Sequence, residues 1–352
     1  MFPQSCANMT AEASPRLSRS GTRQKVVAAL ILLLSALLGL ALVEGLTRLL
    51  LPAFDPSGQF DFTYRVGDLV LGSPGTEARQ AKNTGDFDVV VRINRHGLRD
   101  ENDVATATEA DIVVVGDSVA WGWGVQTRER FSELVQAKTG RRTFNVSAPT
   151  DIEGYASLLA YARSLGATVG QVVVAVSMET DLRDYGAKPV ATGSGGGFDL
   201  KGWLARHSAA YLLLTTVVHQ TPWLRNGAVR AGLVVPNLDG IARHEDDPAL
   251  VTAAADRLQA LAKQFRLLVV LAPSRALWVG DNRAVEDRLH RALVAALRNR
   301  DIDVLDLRPF FEAGGAPLDY HFANDGHWSP RGTQARRRGH QPASRTLEGR
   351  RC

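Results

Sequence analysis

Asp111-Ile112-Val113-Val114-Val115-Gly116-Asp117-Ser118 is the stretch on which the reading of this chain turns. Its apolar run ends at Gly116, the pattern of a short buried strand that stops at a turn. Downstream the pattern alternates. Thr127 can cap a helix carrying Phe131, Leu134 and Val135, closed by Gly140. Thr143–Val146 reads as a strand, Tyr155–Leu165 as a helix ending at Gly166, and Val172–Val176 as a buried strand. After an interruption, Leu250–Phe265 reads as a helix and Leu267–Ala272 as a strand, followed by a helix over Val285–Leu297 and a strand over Ile302–Leu307. Apolar strands separated by helices of this length predict an α/β fold, a parallel sheet covered on both faces. Ligand sites in such sheets form beyond the C-terminal strand ends, so the informative residues should follow strands.

Upstream, residues 52–110 read as a lead-in with a few short strands, among them Asp88–Ile93. The interruption spans about residues 186–248. Within it, Gly193-Ser194-Gly195-Gly196-Gly197 lacks the Lys-Ser/Thr of a phosphate loop and reads as a linker. Trp203–Val218 reads as a helical insertion packing locally or near a membrane.

Charge removes one class of function. Of 41 basic and 37 acidic residues, seven arginines and one acid lie in 331–352, and four basic residues and one acid in 1–25. The body between them keeps 30 basic against 35 acidic residues, so no nucleic-acid partner is expected. Cys6 and Cys352 lie at the extreme ends, which leaves the globular part no disulfide framework, CxxC metal site or thiol nucleophile.

Val26–Val43 is an unbroken run of apolar or small residues, about the ~18 that suggest a spanning helix. Arg16, Arg19, Arg23 and Lys25 precede it and Glu44 follows, so residues 1–25 are expected in the cytoplasm and the rest outside. A cleaved signal peptide is the competing reading. The run exceeds a usual signal core and Gly39-Leu40-Ala41 makes a poor cleavage site, which favours an uncleaved anchor over residues 26–51, stopped by Pro52. The protein is therefore placed at the cytoplasmic (inner) membrane as a single-pass protein, with its protein partners open.

Two short motifs carry chemistry. Ser118 stands at a strand-to-helix turn, where Oγ is exposed and neighbouring N–H groups can face an oxyanion. Gly-Asp-Ser is also ordinary turn composition. Asn324-Asp325-Gly326-His327-Trp328 follows the last strand. A serine nucleophile needs a base and a carboxylate to hold that base, and His327 and Asp325 can supply both from one loop. The alternatives are a polar turn or half a metal site; with no further cluster of ligand spacing, neither metal nor cofactor is expected.

Gly116–Val125 (GDSVAWGWGV), followed about two hundred residues later by Asn324–Gly332 (NDGHWSPRG), resembles the first and last blocks of the SGNH (GDSL-type) hydrolase family. Ile93–Asp100 resembles a lead-in of its membrane-anchored bacterial members, and the likeness covers roughly residues 88–332. The resemblance implies a flavodoxin-like three-layer α/β/α sandwich in residues 111–332, with ester hydrolysis or acyl transfer through a seryl intermediate. It implies Ser118 as nucleophile, His327 as base and Asp325 as the orienting carboxylate. The oxyanion would be held by Ser118 N–H, by a second-block N–H from Thr150 or Gly154 after Asn145, and by Thr180, which stands where the family has asparagine. The Asp-x-His spacing resembles the alginate O-acetyltransferase branch. Trp121, Trp123 and Trp328 either line the pocket or pack, His321 is structural, Arg99-Asp100 forms an ion pair, and Ser274-Arg275 is an exposed loop pair.

Family members finish with an alanine-rich helix, whereas residues 333–352 are Arg-rich and almost free of apolar side chains. Either this tail does not pack, or the reading frame has shifted near residue 333. Three functions follow: an extracytoplasmic esterase acting on O-acetyl esters, an O-acyltransferase modifying an envelope or exported polysaccharide, or a non-catalytic binding protein. The expected ligand of the first two is an acyl ester or acetylated glycan.

Overall fold

The computed structural model describes residues 20–183, 185 and 199–334. The glycine-rich stretch 193–197 and the tail beyond Gln334 lie outside them. Helix α1 (Ser20–Leu50) is followed by two antiparallel ribbons, β1 (Phe62–Val66) with β2 (Leu69–Gly72) and β3 (Glu77–Ala81) with β4 (Asp88–Arg92). In β4 the even residues face solvent while Val89 and Val91 are buried. This period of two gives the ribbon one apolar face, which packs on Trp121 with Phe60 and Phe62. The lead-in is thus more ordered than its sequence suggests, and it caps the domain beside the Ser118 turn.

The main domain begins with β5 (Ile112–Gly116), α2 (Ser118–Trp121), α3 (Phe131–Thr139), β6 (Thr143–Asn145), α4 (Ile152–Ser164) and β7 (Gln171–Ser177). Three inserted helices follow: α5 (Leu200–His207), α6 (Ala209–Gln220) and α7 (Pro222–Arg230). It closes with α8 (Pro248–Ala262), β8 (Arg266–Ala272), α9 (Arg283–Arg298), β9 (Asp303–Asp306), α10 (Arg308–Ala313) and α11 (Pro330–Thr333). The five strands run parallel in the order β6-β5-β7-β8-β9, the flavodoxin-like winding expected. Strand residues alternate between two cores. Val113, Val115, Val174, Val269 and Leu271 meet α4, α8 and α9, whereas Ile112, Val114, Val173, Leu268 and Val270 meet Phe311, Tyr320 and Trp328. This is a three-layer sandwich.

Helix boundaries shift by a few residues where a cap decides them. Asp151 starts α4 at Ile152 by accepting from Glu153 and Gly154 N–H, and Asp247 with Pro248 starts α8. The stretch after Thr127 makes a 3-10 turn before α3 begins at Phe131.

By length and composition α1 is apolar enough to cross a membrane, over Arg23–Leu50. Its C-terminal end is tied to the insertion. Glu44 accepts from Ser208 Oγ (2.8 Å) and from the N–H groups of Ala209 and Ala210 (3.0 Å each), and so caps α6. Arg48 donates to His207 O (2.8 Å) and pairs with Asp55 (2.8 Å). The insertion therefore packs on the C-terminal end of α1 and leaves Leu214, Trp223 and Leu233 exposed.

Leu158 is fully buried between α4 and the sheet, whereas Leu214 is 60% exposed on α6. Leu158→Ala should cost about 3 kcal/mol and Leu214→Ala less than about 0.5 kcal/mol, measured by denaturant unfolding of the detergent-solubilised protein.

Candidate active site

The turn after β5 is built by close packing. A Cβ on Gly116 would meet Ala120 Cβ at 2.6 Å and Ala175 O at 2.8 Å, so only glycine lets the chain turn between β7 and α2. Asp117, 4% exposed, caps α2 by accepting from Val119 N–H (2.8 Å). Burial pushes its carboxyl up, against the opposing pull of Val119 N–H, His327 and Thr180. Ser118, the first residue of α2, is left half-buried at the C-terminal edge of the sheet.

The loop after β9 reaches the same edge. His327 Nε2 lies 2.8 Å from Ser118 Oγ, bridging 209 residues of sequence. His327 Nδ1 contacts Asp325 Oδ1, which also accepts His327 N–H at 3.0 Å. Asp325 Oδ2 accepts from Lys82 Nζ at 2.8 Å. Burial acts to raise the Asp325 carboxyl, but His327 and Lys82 together outweigh it and hold the carboxyl well below the ordinary carboxylate range. The Trp123 ring stacks on the imidazole with centroids 5.3 Å apart. Serine, imidazole and carboxylate thus form one hydrogen-bonded chain, the arrangement acyl-transfer chemistry requires.

The expected oxyanion donors divide. Among the described residues, neither Ser118 N–H nor Thr150 N–H donates a hydrogen bond. The loop carrying Thr150 runs beside the Ser118 turn, because Ala148 N–H donates to Gly116 O at 3.2 Å. Gly154 is already committed: its N–H donates to Asp151 Oδ1 at 3.2 Å. That position needs glycine for space, since a Cβ there would meet Thr150 Oγ1 at 1.8 Å. Thr180 Oγ1 likewise donates to Asp117 Oδ2 (3.1 Å), and a hydroxyl has one proton to give. Asn145 is a staple, donating to Ala120 O and Ser132 Oγ at 2.9 Å each.

Other expectations resolve by burial. Trp121 and Trp328 pack in cores, and of the three tryptophans only Trp123 touches the histidine. Arg99 and Asp100 are both buried but do not pair. Arg99 donates to the carbonyls of Gly122 and Val125 and lies over Trp121, while Asp100 accepts from the N–H groups of Asn102 and Asn145. Burial pushes the Asp100 carboxyl up to about 6 despite the Arg130 charge. Ser274 and Arg275 are buried rather than exposed: Arg275 forms a two-pronged pair with Glu179 and donates to Asn237 Oδ1 (2.9 Å) beneath Gly326. His321 is buried and pushed down to about 3, mainly by that burial. The described residues hold no cluster of metal-ligating side chains.

Residues 231–339 match the family model of the SGNH hydrolase-like domain of acetyltransferase AlgX. Over those residues the chain is similar to an SGNH hydrolase-like domain. Among solved structures, it is similar to a member of the lipolytic G-D-S-L family from Veillonella parvula at 10% identity and TM-score 0.39, over 64% of this chain and 92% of that one. It is also similar to a mutant of the acetyl-xylooligosaccharide esterase Axe2 from Geobacillus, at 9% identity and TM-score 0.35, over 66% and 93% of the two chains. For an extracellular lipase from Streptomyces rimosus the identity is 15% and the TM-score 0.32, over 64% and 95%. No curated protein matches.

Sequence reasoning missed Lys82. It lies in the turn joining β3 to β4, and a single lysine in Ala81-Lys82-Asn83-Thr84-Gly85 carries no motif. Asp117 stood in plain view within Gly-Asp-Ser, but its burial and its bond to Thr180 exist only in the fold. A carboxyl held below its ordinary range adds stability that is complete above that range and fades as pH falls through the folded value. Asp325→Asn should therefore be less stable than the wild type by about 2 kcal/mol at pH 7, with the gap closing below about pH 3, read by thermal or urea unfolding across pH.

Proposed function

We propose that the chain is a membrane-anchored, extracytoplasmic serine enzyme that breaks acyl esters, most directly O-acetyl esters. The observation that carries this reading is the 2.8 Å contact between His327 Nε2 and Ser118 Oγ, with Asp325 on the far imidazole nitrogen. Ser118 Oγ attacks the ester carbonyl while His327 takes its proton, and the oxyanion faces the free N–H groups of Ser118 and Thr150. Collapse of that intermediate breaks the ester C–O bond, and His327 returns the proton to the departing alcohol. Water then attacks the acyl-serine, again through His327, to release the acid and restore Ser118. Asp325 keeps the imidazole in the tautomer that presents a bare Nε2 to the serine.

Acyl transfer is the second reading, with a sugar hydroxyl in place of water in the last step. The match of residues 231–339 to the domain named for acetyltransferase AlgX favours it, with an envelope or exported polysaccharide as acceptor. A cavity of about 490 Å³ lies beside the histidine loop, lined by Thr84, Gly85, His219, Gln220, Arg225 and Asn226. Arg225 reaches Asn324 of that loop, so this polar cavity is where the hydroxylated part of a substrate would sit. The apolar α1 serves as an uncleaved anchor, with basic residues before it on the cytoplasmic side.

A fluorophosphonate probe should label the full-length protein in detergent, and Ser118→Ala should abolish labelling and lower p-nitrophenyl acetate turnover at least about a thousandfold. Labelling that survives Ser118→Ala would sink the proposal. Because its hydroxyl is engaged by Asp117, Thr180→Val should lower turnover less than about tenfold, well short of the loss of an oxyanion donor. Acetyl transfer to added glycan, followed by mass spectrometry, separates transferase from hydrolase.

A further inference from the structure

We propose that Lys82, from the lead-in ribbon, is a positioning residue of the Ser118 site: it holds Asp325 and sets the pH at which His327 acts as a base. This deepens the function proposed above and depends on it.

The geometry is specific. Asp325 is 6% exposed and its two carboxylate oxygens are divided between two partners. Oδ1 takes the imidazole Nδ1 and the His327 backbone N–H, and Oδ2 takes Lys82 Nζ at 2.8 Å. A carboxylate held at one oxygen only can rotate about its Cβ–Cγ bond, and the imidazole would swing with it. Lys82 removes that freedom from the side opposite His327. Its own backbone is fixed: Lys82 N–H donates to Phe87 O at 3.0 Å, and Phe87 packs on Phe322 of the histidine loop with ring centroids 5.1 Å apart. Asn324 N–H also donates to Asp86 Oδ1 at 3.2 Å, so the ribbon turn grips the loop at two points just before Asp325.

The charge matters as much as the grip. A carboxylate in contact with an imidazole favours the protonated ring. A lysine ammonium on the same carboxylate opposes that, because it repels a proton arriving on the ring and shares the carboxylate's field. The other charged groups facing the imidazole are few. Asp117 lies under the serine turn, His321 is neutral by burial, and Arg275 beneath Gly326 is neutralised by Glu179. Among the described residues, Lys82 is thus the cation in direct contact with the histidine's carboxylate partner, and it pairs with no second acid.

The test compares the rate of fluorophosphonate labelling against pH for full-length wild type, Lys82→Met, Lys82→Gln and Lys82→Arg in detergent. Lys82→Met should lower the plateau roughly ten- to a hundredfold and move the acid limb upward by about half a pH unit or more. Lys82→Gln keeps a donor without a charge and should show the same upward shift with a smaller loss of plateau. Lys82→Arg should return the limb to its wild-type position. A lysine that merely supports the fold would lower the melting temperature without moving the limb. Limbs that coincide in all four proteins overturn the proposal, and if Lys82→Met fails to fold, Lys82→Gln against Lys82→Arg decides it alone. Should the wild type itself show no Ser118-dependent labelling, the proposed function fails and the lysine's role falls with it. Wild-type labelling through Ser118 with unshifted variants removes the lysine's role only.

Discussion

Parallel pairing of β5 with β6 on one side and β7 on the other is the constraint from which the site follows. Strands that run the same way must be joined by crossovers, so every loop that leaves a strand's C-terminal end emerges at one edge. The winding reverses at β5, which opens a crevice there. Ser118 enters it from β5, Thr150 from the loop after β6, Thr180 after β7 and His327 beyond β9. Residues hundreds of positions apart meet because the sheet allows them no other edge. The tightness of the β5 turn, where Gly116 touches Ala120 and Ala175, then sets the direction in which Ser118 points.

Around that edge the polar groups are rationed by burial. Asp117 and Asp181 lie within the fold; burial pushes both carboxyls up, and Asp117 raises that of Asp181 further. They persist because donors reach them: Val119 N–H and Thr180 for Asp117, Tyr155 O–H (2.7 Å) and Ser177 N–H (2.8 Å) for Asp181. This explains why Thr180 is not free. Its hydroxyl satisfies a buried acid, a task an asparagine side chain at this position would perform with a different reach. The donors left without a partner beside the serine are the backbone N–H groups of Ser118 and Thr150, whose availability depends on loop geometry and not on residue type.

The lead-in ribbon and the insertion have structural reasons for being where they are. The ribbon buries the one apolar face of β4 against Trp121, and its turn delivers Lys82 and Asp86 to the histidine loop. The insertion is held at one end by Glu44 and Arg48 of α1 and at the other by Gln220 on Asn83 and Arg225 on Asn324. Helices α6 and α7 therefore connect the end of the apolar helix to the rim of the site. The cavity of about 490 Å³ lies where the β3–β4 turn meets α6 and α7, lined by Thr84, Gly85, His219, Gln220 and Arg225.

The sequence by itself determined the layer architecture, because apolar strands and amphipathic helices announce their periods locally. It also pointed to the candidate serine, histidine and aspartate, since Ser118 stands directly after β5 and Asp325 and His327 share one short motif beyond β9, both visible without a fold. Burial and hydrogen-bond partnership were decided by the tertiary structure alone. Arg99 turned from Asp100 to the carbonyls of Gly122 and Val125, Arg275 left the surface for Glu179, and Thr180 donated its hydroxyl hydrogen bond to Asp117. Lys82 joined Asp325 across 243 residues. A side chain's period is a property of its neighbours in the chain, whereas its hydrogen-bond partner depends on which distant groups the sheet brings within hydrogen-bonding distance.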